Sequence, residues 1–105
     1  MNTVVSNWQI VSIFEKGEHV GDVLWAICVD DMTCRFHRGD YICTSQIIKV
    51  NVDTDIVKTA SGSIYQLLGQ GTHSSINFDD FELLRNGFSP QEITKMKYAS
   101  NSSVH

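Results

Sequence analysis

The stretch Asp30-Asp31-Met32-Thr33-Cys34-Arg35-Phe36-His37-Arg38-Gly39-Asp40 holds the densest reactive chemistry in the chain. A histidine among carboxylates and guanidinium groups is what acid–base catalysis uses. His37 would move the proton, Asp40 or Asp30 would orient its ring, and Arg35 or Arg38 would hold an anion. Cys34, or Cys43 just beyond, would be the nucleophile, its pKa lowered by a neighbouring cation. The enzyme reading is therefore a small hydrolase or transferase working near His37, Asp40 and Cys43. A solvated hairpin tip with charges of both signs has the same composition and needs no reactivity to explain it. Nothing in the stretch has diagnostic spacing, so the tip reading is preferred and no catalytic residue is assigned.

Other constellations are weaker. Cys34-x-x-His37 supplies two possible zinc ligands and His19 or His73 a third, but the second ligand cluster of a ribbon or finger is missing, so no metal is expected. Gly69-Gln70-Gly71 lacks a following Walker lysine and a parallel strand–helix unit. Ser61-Gly62-Ser63 reads as turn chemistry, not as a nucleophile elbow. No cofactor is expected.

Composition narrows the classes further. The 105 residues carry 8 Lys and Arg against 12 Asp and Glu, a formal charge of −4, which disfavours duplex nucleic acid. Single-stranded nucleic acid remains an alternative, with Arg35, Arg38, Lys49 and Lys58 as the basic groove and Phe36 and Tyr41 as stacking platforms. No long acidic run supports mimicry of nucleic acid. Two Trp, three Tyr and five Phe are generous for so small a domain and favour protein–protein contact. Trp8, Phe14, Arg35, His37, Arg38 and Tyr41 are the candidate binding residues, with Phe88 a further anchor; Trp25 and Tyr65 are expected in the core. The expected function is a non-enzymatic module that binds a protein partner or itself, with a homodimer favoured.

The elements that would position these groups are mostly strands, since Val, Ile, Thr and aromatics dominate up to the single proline, Pro90. Strands are expected at Trp8–Phe14, Val23–Val29, Thr33–Phe36, Tyr41 to about Val50, Ile56–Thr59 and Ser63–Leu68. The nearly continuous apolar run VLWAICV must be covered on both faces. Glu15–Asp22 reads as a loop or loose hairpin, His37–Asp40 as a turn, and Gly69–Ser75 as a flexible segment closing the β portion, about 8–69. A helical portion at about 78–99 follows. FDDFELLRN forms a short helix stopped by Gly87, with Phe81, Leu84 and Phe88 toward the sheet. Ser89-Pro90-Gln91-Glu92 has the form of a capping box opening a second helix to about Ala99, with Ile93, Met96 and the stem of Lys97 buried. The tail SNSSVH, 100–105, has nothing to bury and is expected to be disordered. The fold class is α+β, mainly β: one domain, a curled antiparallel sheet or small β-barrel of about six strands followed by two short C-terminal helices.

The run LWAICVDDMTCRFHRGDYICTSQI with VKTASGSIYQLLG after it resembles small uncharacterised bacterial β-rich proteins of mobile or accessory gene sets. The likeness covers Leu24 to Gly69, rests on structural motifs, and transfers no functional residue. It implies a bacterial cytosolic origin. An odd number of cysteines, Cys28, Cys34 and Cys43, fits reduced thiols in the cytoplasm, and no signal segment or membrane-spanning run is read at MNTVVSNWQ or elsewhere.

Overall fold

A computed structural model describes residues 2–102, with side chains of 98–102 left aside. Six strands are followed by a 3-10 turn and two helices: β1 (Thr3–Glu15), β2 (Glu18–Asp31), β3 (Tyr41–Asn51), β4 (Ile56–Thr59), β5 (Ile64–Leu67), β6 (Thr72–Asn77), the turn Phe78–Asp80, α1 (Phe81–Arg85) and α2 (Pro90–Ser102). The expected mainly β class with two C-terminal helices is what the chain forms. Its sheet is mixed: β1 pairs in parallel with β5 and β6, and the remaining pairings are antiparallel. The pairings run β1–β2–β3–β4–β5 and return to β1 over Thr3–Val5 only, so the sheet closes partially.

β1 is the strand on which everything converges, and it is divided by a bulge. Asn7 and Trp8 together oppose the single residue between Trp25 and Ile27, and Asn7 takes a left-handed φ of 48°. The extra residue reverses which face the odd-numbered side chains use. Before it, Val5 points with Leu24, Ala26, Cys28, Ile42, Val57, Tyr65 and Leu67 into one buried cluster. After it, Val11 and Ile13 join Val23, Trp25, Ile76, Leu84 and Ile93 in a second cluster, under the helices. Along β2, alternating with a period of two, Leu24, Ala26 and Cys28 serve the first cluster and Val23 and Trp25 the second. VLWAICV is thus covered on both faces, as its composition requires. The indole Nε1 of Trp25 is buried without a hydrogen-bond partner among the described residues.

The bulge also decides the neighbours. Ahead of it β1 pairs with β5; behind it, from Gln9 to Phe14, it pairs with β6. The Trp8 side chain fills the gap where β5 and β6 part. Its Nε1 donates to the Gly69 carbonyl at 3.2 Å, and its ring lies so close to Gly71 that a Cβ there would fall 2.1 Å from Cδ2. Only glycine fits. Trp8, expected as a binding anchor, is partly buried here and serves as a packing wedge.

Several boundaries differ from the expectation. Glu15–Asp22 is a tight hairpin: Lys16 and Gly17 both have positive φ, 52° and 81°, the conformation a two-residue turn needs to match strand twist. Thr33–Phe36 forms no strand, and the sixth strand is β6, inside the segment expected to be flexible. FDDFELLRN divides into the 3-10 turn and α1 and ends in a cap, with Phe88 N–H donating to Leu83. The capping box forms as expected: Ser89 N–H donates to Glu92 Oε1 at 3.0 Å, and Glu92 N–H to Ser89 Oγ at 3.1 Å. Leu84 and Ile93 are buried, each worth about 1.5–3 kcal/mol. Met96 is 39% exposed, against expectation; Phe88 is 37% exposed, so it does not pack fully toward the sheet, and Lys97 reaches Asp80 at 2.6 Å. α2 continues past Ala99 to Ser102, into the segment expected to be disordered; 103–105 lie outside the described residues.

Gly71→Ala is expected to lower stability by about 1–3 kcal/mol, because the wedge must move. Gly21→Ala, whose Cβ would meet only the flexible Gln46 side chain at 3.4 Å, is expected to stay within about 0.5 kcal/mol. In the Trp8→Ala background most of the Gly71→Ala penalty should vanish. Urea denaturation of the four proteins measures that coupling.

Candidate functional site

The Asp30–Asp40 segment is organised by one carboxylate. Asp31, at the end of β2, accepts at Oδ1 from Thr3 Oγ1 (2.8 Å), Thr33 N (3.0 Å) and Thr33 Oγ1 (2.5 Å). At Oδ2 it accepts from the backbone N–H groups of Arg35 (2.7 Å) and Phe36 (2.8 Å). Burial alone would raise its pKa, but these hydrogen bonds, Thr33 and Thr3 first, hold it well below the usual carboxylate range. This is why Thr33–Phe36 is a loop: the Thr33, Arg35 and Phe36 amides are satisfied by the Asp31 side chain and Cys34 N–H by the Asp31 carbonyl, instead of by a strand partner.

Three candidate residues of this segment, Arg35, Phe36 and Asp40, help to hold it. Arg35 donates from Nε to Thr33 Oγ1 at 2.9 Å and from Nη1 to Ser63 Oγ at 3.0 Å, and its guanidinium lies 5.1 Å over the Phe36 ring. Phe36 packs against the first cluster. Asp40 accepts the His37 backbone N–H at 2.9 Å, so its carboxylate closes the turn, and the His37 and Arg38 side chains are exposed. Asp30 is exposed where β2 ends. Tyr41 donates its hydroxyl to the Arg85 carbonyl at 2.9 Å and lays its ring on Gly87, fastening α1 to β3. Phe14 sits at the far end of β1 with its ring centroid 5.4 Å from that of His19. Lys49 and Lys58 oppose each other across β3 and β4, away from Tyr41.

Cys43 lies on the helical side of β3 beside Trp25. No described hydrogen bond joins the side chains of His37, Asp40 and Cys43. Burial pushes the Cys43 thiol up to about 11, with Arg85 only partly offsetting it, so it is a neutral thiol at physiological pH. Burial likewise raises Cys28. The three cysteines are free, and no cluster of metal-binding side chains is found among the described residues.

Two features that inspection of the sequence missed stand out. The first is a groove of about 430 Å³ where β3 leaves β2 and α1 crosses above, walled by Ile13, Val23, Phe78 and Phe81 with Asp22, Cys43 and Arg85 at its margins. Its one sequence signal was Phe78, an aromatic ahead of two aspartates, which proves 50% exposed. At one end Asp22 Oδ1 takes the Ser12 hydroxyl at 2.7 Å and contacts His19 Nε2 at 2.8 Å. Burial opposes the charge of Asp22, yet those bonds and the nearby His19 and His73 lower its pKa.

The second feature is the outer edge of β6. Beside it, Ser74, Ser75, Pro90, Gln91, Thr94 and Lys95 line a shallow hollow between the strand and α2. Gln91 bridges the two, donating to Gln9 Oε1 at 3.0 Å, while Ser74 Oγ donates to the same oxygen at 2.7 Å.

Comparison with protein families, with curated proteins and with solved structures finds no match to this chain. No described helix is long and apolar enough to cross a membrane.

A carboxyl whose pKa falls on folding contributes stability that is fully present above its unfolded value, near 3.8 here, and lost as pH drops toward the folded value. Asp31→Asn, which sets an NH2 or a weaker acceptor against the loop amides, should lower the denaturation midpoint at neutral pH. The gap to the parent protein should narrow as pH falls below the unfolded value. Denaturation curves from neutral to acid pH measure it. A separate expectation concerns the thiols: limited iodoacetamide at neutral pH should label exposed Cys34 well before Cys28 and Cys43, as read by peptide mass spectrometry.

Proposed function

We propose that this protein is a non-enzymatic interaction module that binds an extended polypeptide strand, foremost that of a second copy of itself, along the outer edge of β6. The observation that carries the reading is the edge. β6 pairs with β1 in unbroken register from Gln9 with Thr72 to Phe14 with Asn77, and its other side makes no backbone hydrogen bond to a described residue. Edge strands are ordinarily defended by lysine, proline, bulges or a covering element. Thr72-His73-Ser74-Ser75-Ile76-Asn77 has no Lys, no proline and no bulge.

Such an edge takes an added strand through main-chain hydrogen bonds, and alternate side chains find room in the hollow beside α2. Two copies related by a twofold are self-complementary there and would extend the β2–β1–β6 sheet across a dimer. The enzyme alternative has less support, since His37, Asp40 and Cys43 serve different parts of the structure and the Cys43 thiol is not activated. Single-stranded nucleic acid also has less, because Arg35, Phe36 and Tyr41 are engaged within the fold. Free thiols and the resemblance over Leu24–Gly69 favour a bacterial cytoplasm.

Sedimentation velocity over a wide concentration range tests the proposal. The parent chain is expected to dimerise. Ser75→Lys, at an exposed position of β6, brings like charges together across the twofold and should weaken the dimer about tenfold with little change in thermal stability. A parent chain monomeric throughout would refute self-pairing. A Ser75→Lys dimer of unchanged strength would move the interface off β6.

A further inference from the structure

We infer that the groove beneath α1 is a binding site for a small apolar carboxylate, a site independent of the β6 edge. Its volume, about 430 Å³, lies within the range of small-ligand pockets. Ile13 and Val23 form an aliphatic floor, and Phe78 and Phe81 form an aromatic wall, their rings stacked at 6.2 Å with planes 27° apart. Phe78 is half exposed at the mouth with no larger element over it. An apolar body of one ring or a short chain covers that surface.

The charge at the margin selects the head group. Arg85 has no carboxylate partner among the described residues, and its side chain makes no hydrogen bond to them; its guanidinium only lies 5.9 Å over the Phe81 ring. A planar fork of donors beside an apolar wall matches a carboxylate. The exposed Gln46 amide, beside Gly21 in the same lining, is a second donor without a described partner. The hydroxyls at the margin are occupied. Thr44 Oγ1 accepts from Leu24 N–H at 3.0 Å and donates to the Ser45 carbonyl at 2.7 Å, and Ser45 Oγ donates to Ser61 Oγ at 3.2 Å. Asp22 lines the groove too and is itself anionic; Ser12 and His19 hold its Oδ1, so the ligand's carboxylate is assigned to Arg85 and not to the Asp22 end. Cys43 carries no charge to repel an anion and forms no bond with the ligand. Binding is noncovalent and nothing is turned over.

The test uses one skeleton with three head groups: 3-phenylpropanoate, 3-phenylpropanamide and 3-phenylpropylamine, titrated into the full chain and followed by amide chemical shifts in NMR. The expected result is saturable binding of the carboxylate, about tenfold tighter than the amide, with shifts centred on Val20–Val23, Cys43–Gln46 and Phe78–Arg85. Arg85→Gln should erase the difference between carboxylate and amide. Arg85 supports α1 through its backbone carbonyl, which the substitution keeps. Phe78→Ala should weaken both ligands alike. Equal affinity for all three head groups, tightest binding of the amine, shifts centred elsewhere, or no saturable binding would each overturn the inference.

Discussion

The contact between the Trp8 indole and the backbone of Gly71 is the constraint on which the arrangement of strands depends. A long strand cannot keep one partner along its whole edge if two different layers must be built on it. β1 solves this with an extra residue at Asn7–Trp8, which turns its apolar side chains from one cluster to the other and leaves a gap between β5 and β6. An indole fills that gap, and its N–H ties the departing chain at Gly69. Remove the wedge and β5 and β6 lose what holds them apart.

The same economy governs the polar residues. Within the cluster richest in reactive side chains, Asp31, Arg35 and Asp40 serve to hold the chain's path. One carboxylate, Asp31, collects five donors and so determines the path of the chain between β2 and β3. Asp40 does the same on a smaller scale for the turn at His37. His37 and Arg38 stay exposed at the tip, while the two proposed sites lie elsewhere, on the main chain of β6 and at the aromatic and cationic rim of the groove under α1.

Much of this fold was legible in the sequence. VLWAICV announced a strand covered on both faces, the hairpin around Gly62 fell where its turn chemistry placed it, and Ser89-Pro90-Gln91-Glu92 specified a helix start through local hydrogen bonds. β6 was not legible because Thr72-His73-Ser74-Ser75 has the composition of a loop, and its strand character comes from register with Gln9–Ser12, far away in sequence. Thr33–Phe36 failed in the opposite direction: its residues favour a strand, yet a single side chain captured their amides. The candidate site was hidden for a related reason. Its walls come from β1, β2, β3 and the helical portion, and Arg85 gains significance only by forming no ion pair with a described residue.

The placement of β1 bears on how the protein is made. Its hairpin partner follows at once, through the Lys16–Gly17 turn, so the first two strands can pair within microseconds of leaving the ribosome. The partners on the other edge arrive late; Gly69, which receives the Trp8 bond, is 61 residues further on. Until then the nascent β1–β2 ribbon presents a bare, strongly apolar edge to the cell. Closing such distant pairings is the slow part of folding. During synthesis this ribbon is therefore most open to chaperone capture or misassociation, until β6 covers the edge and α1 and α2 bring Leu84 and Ile93 over the second cluster.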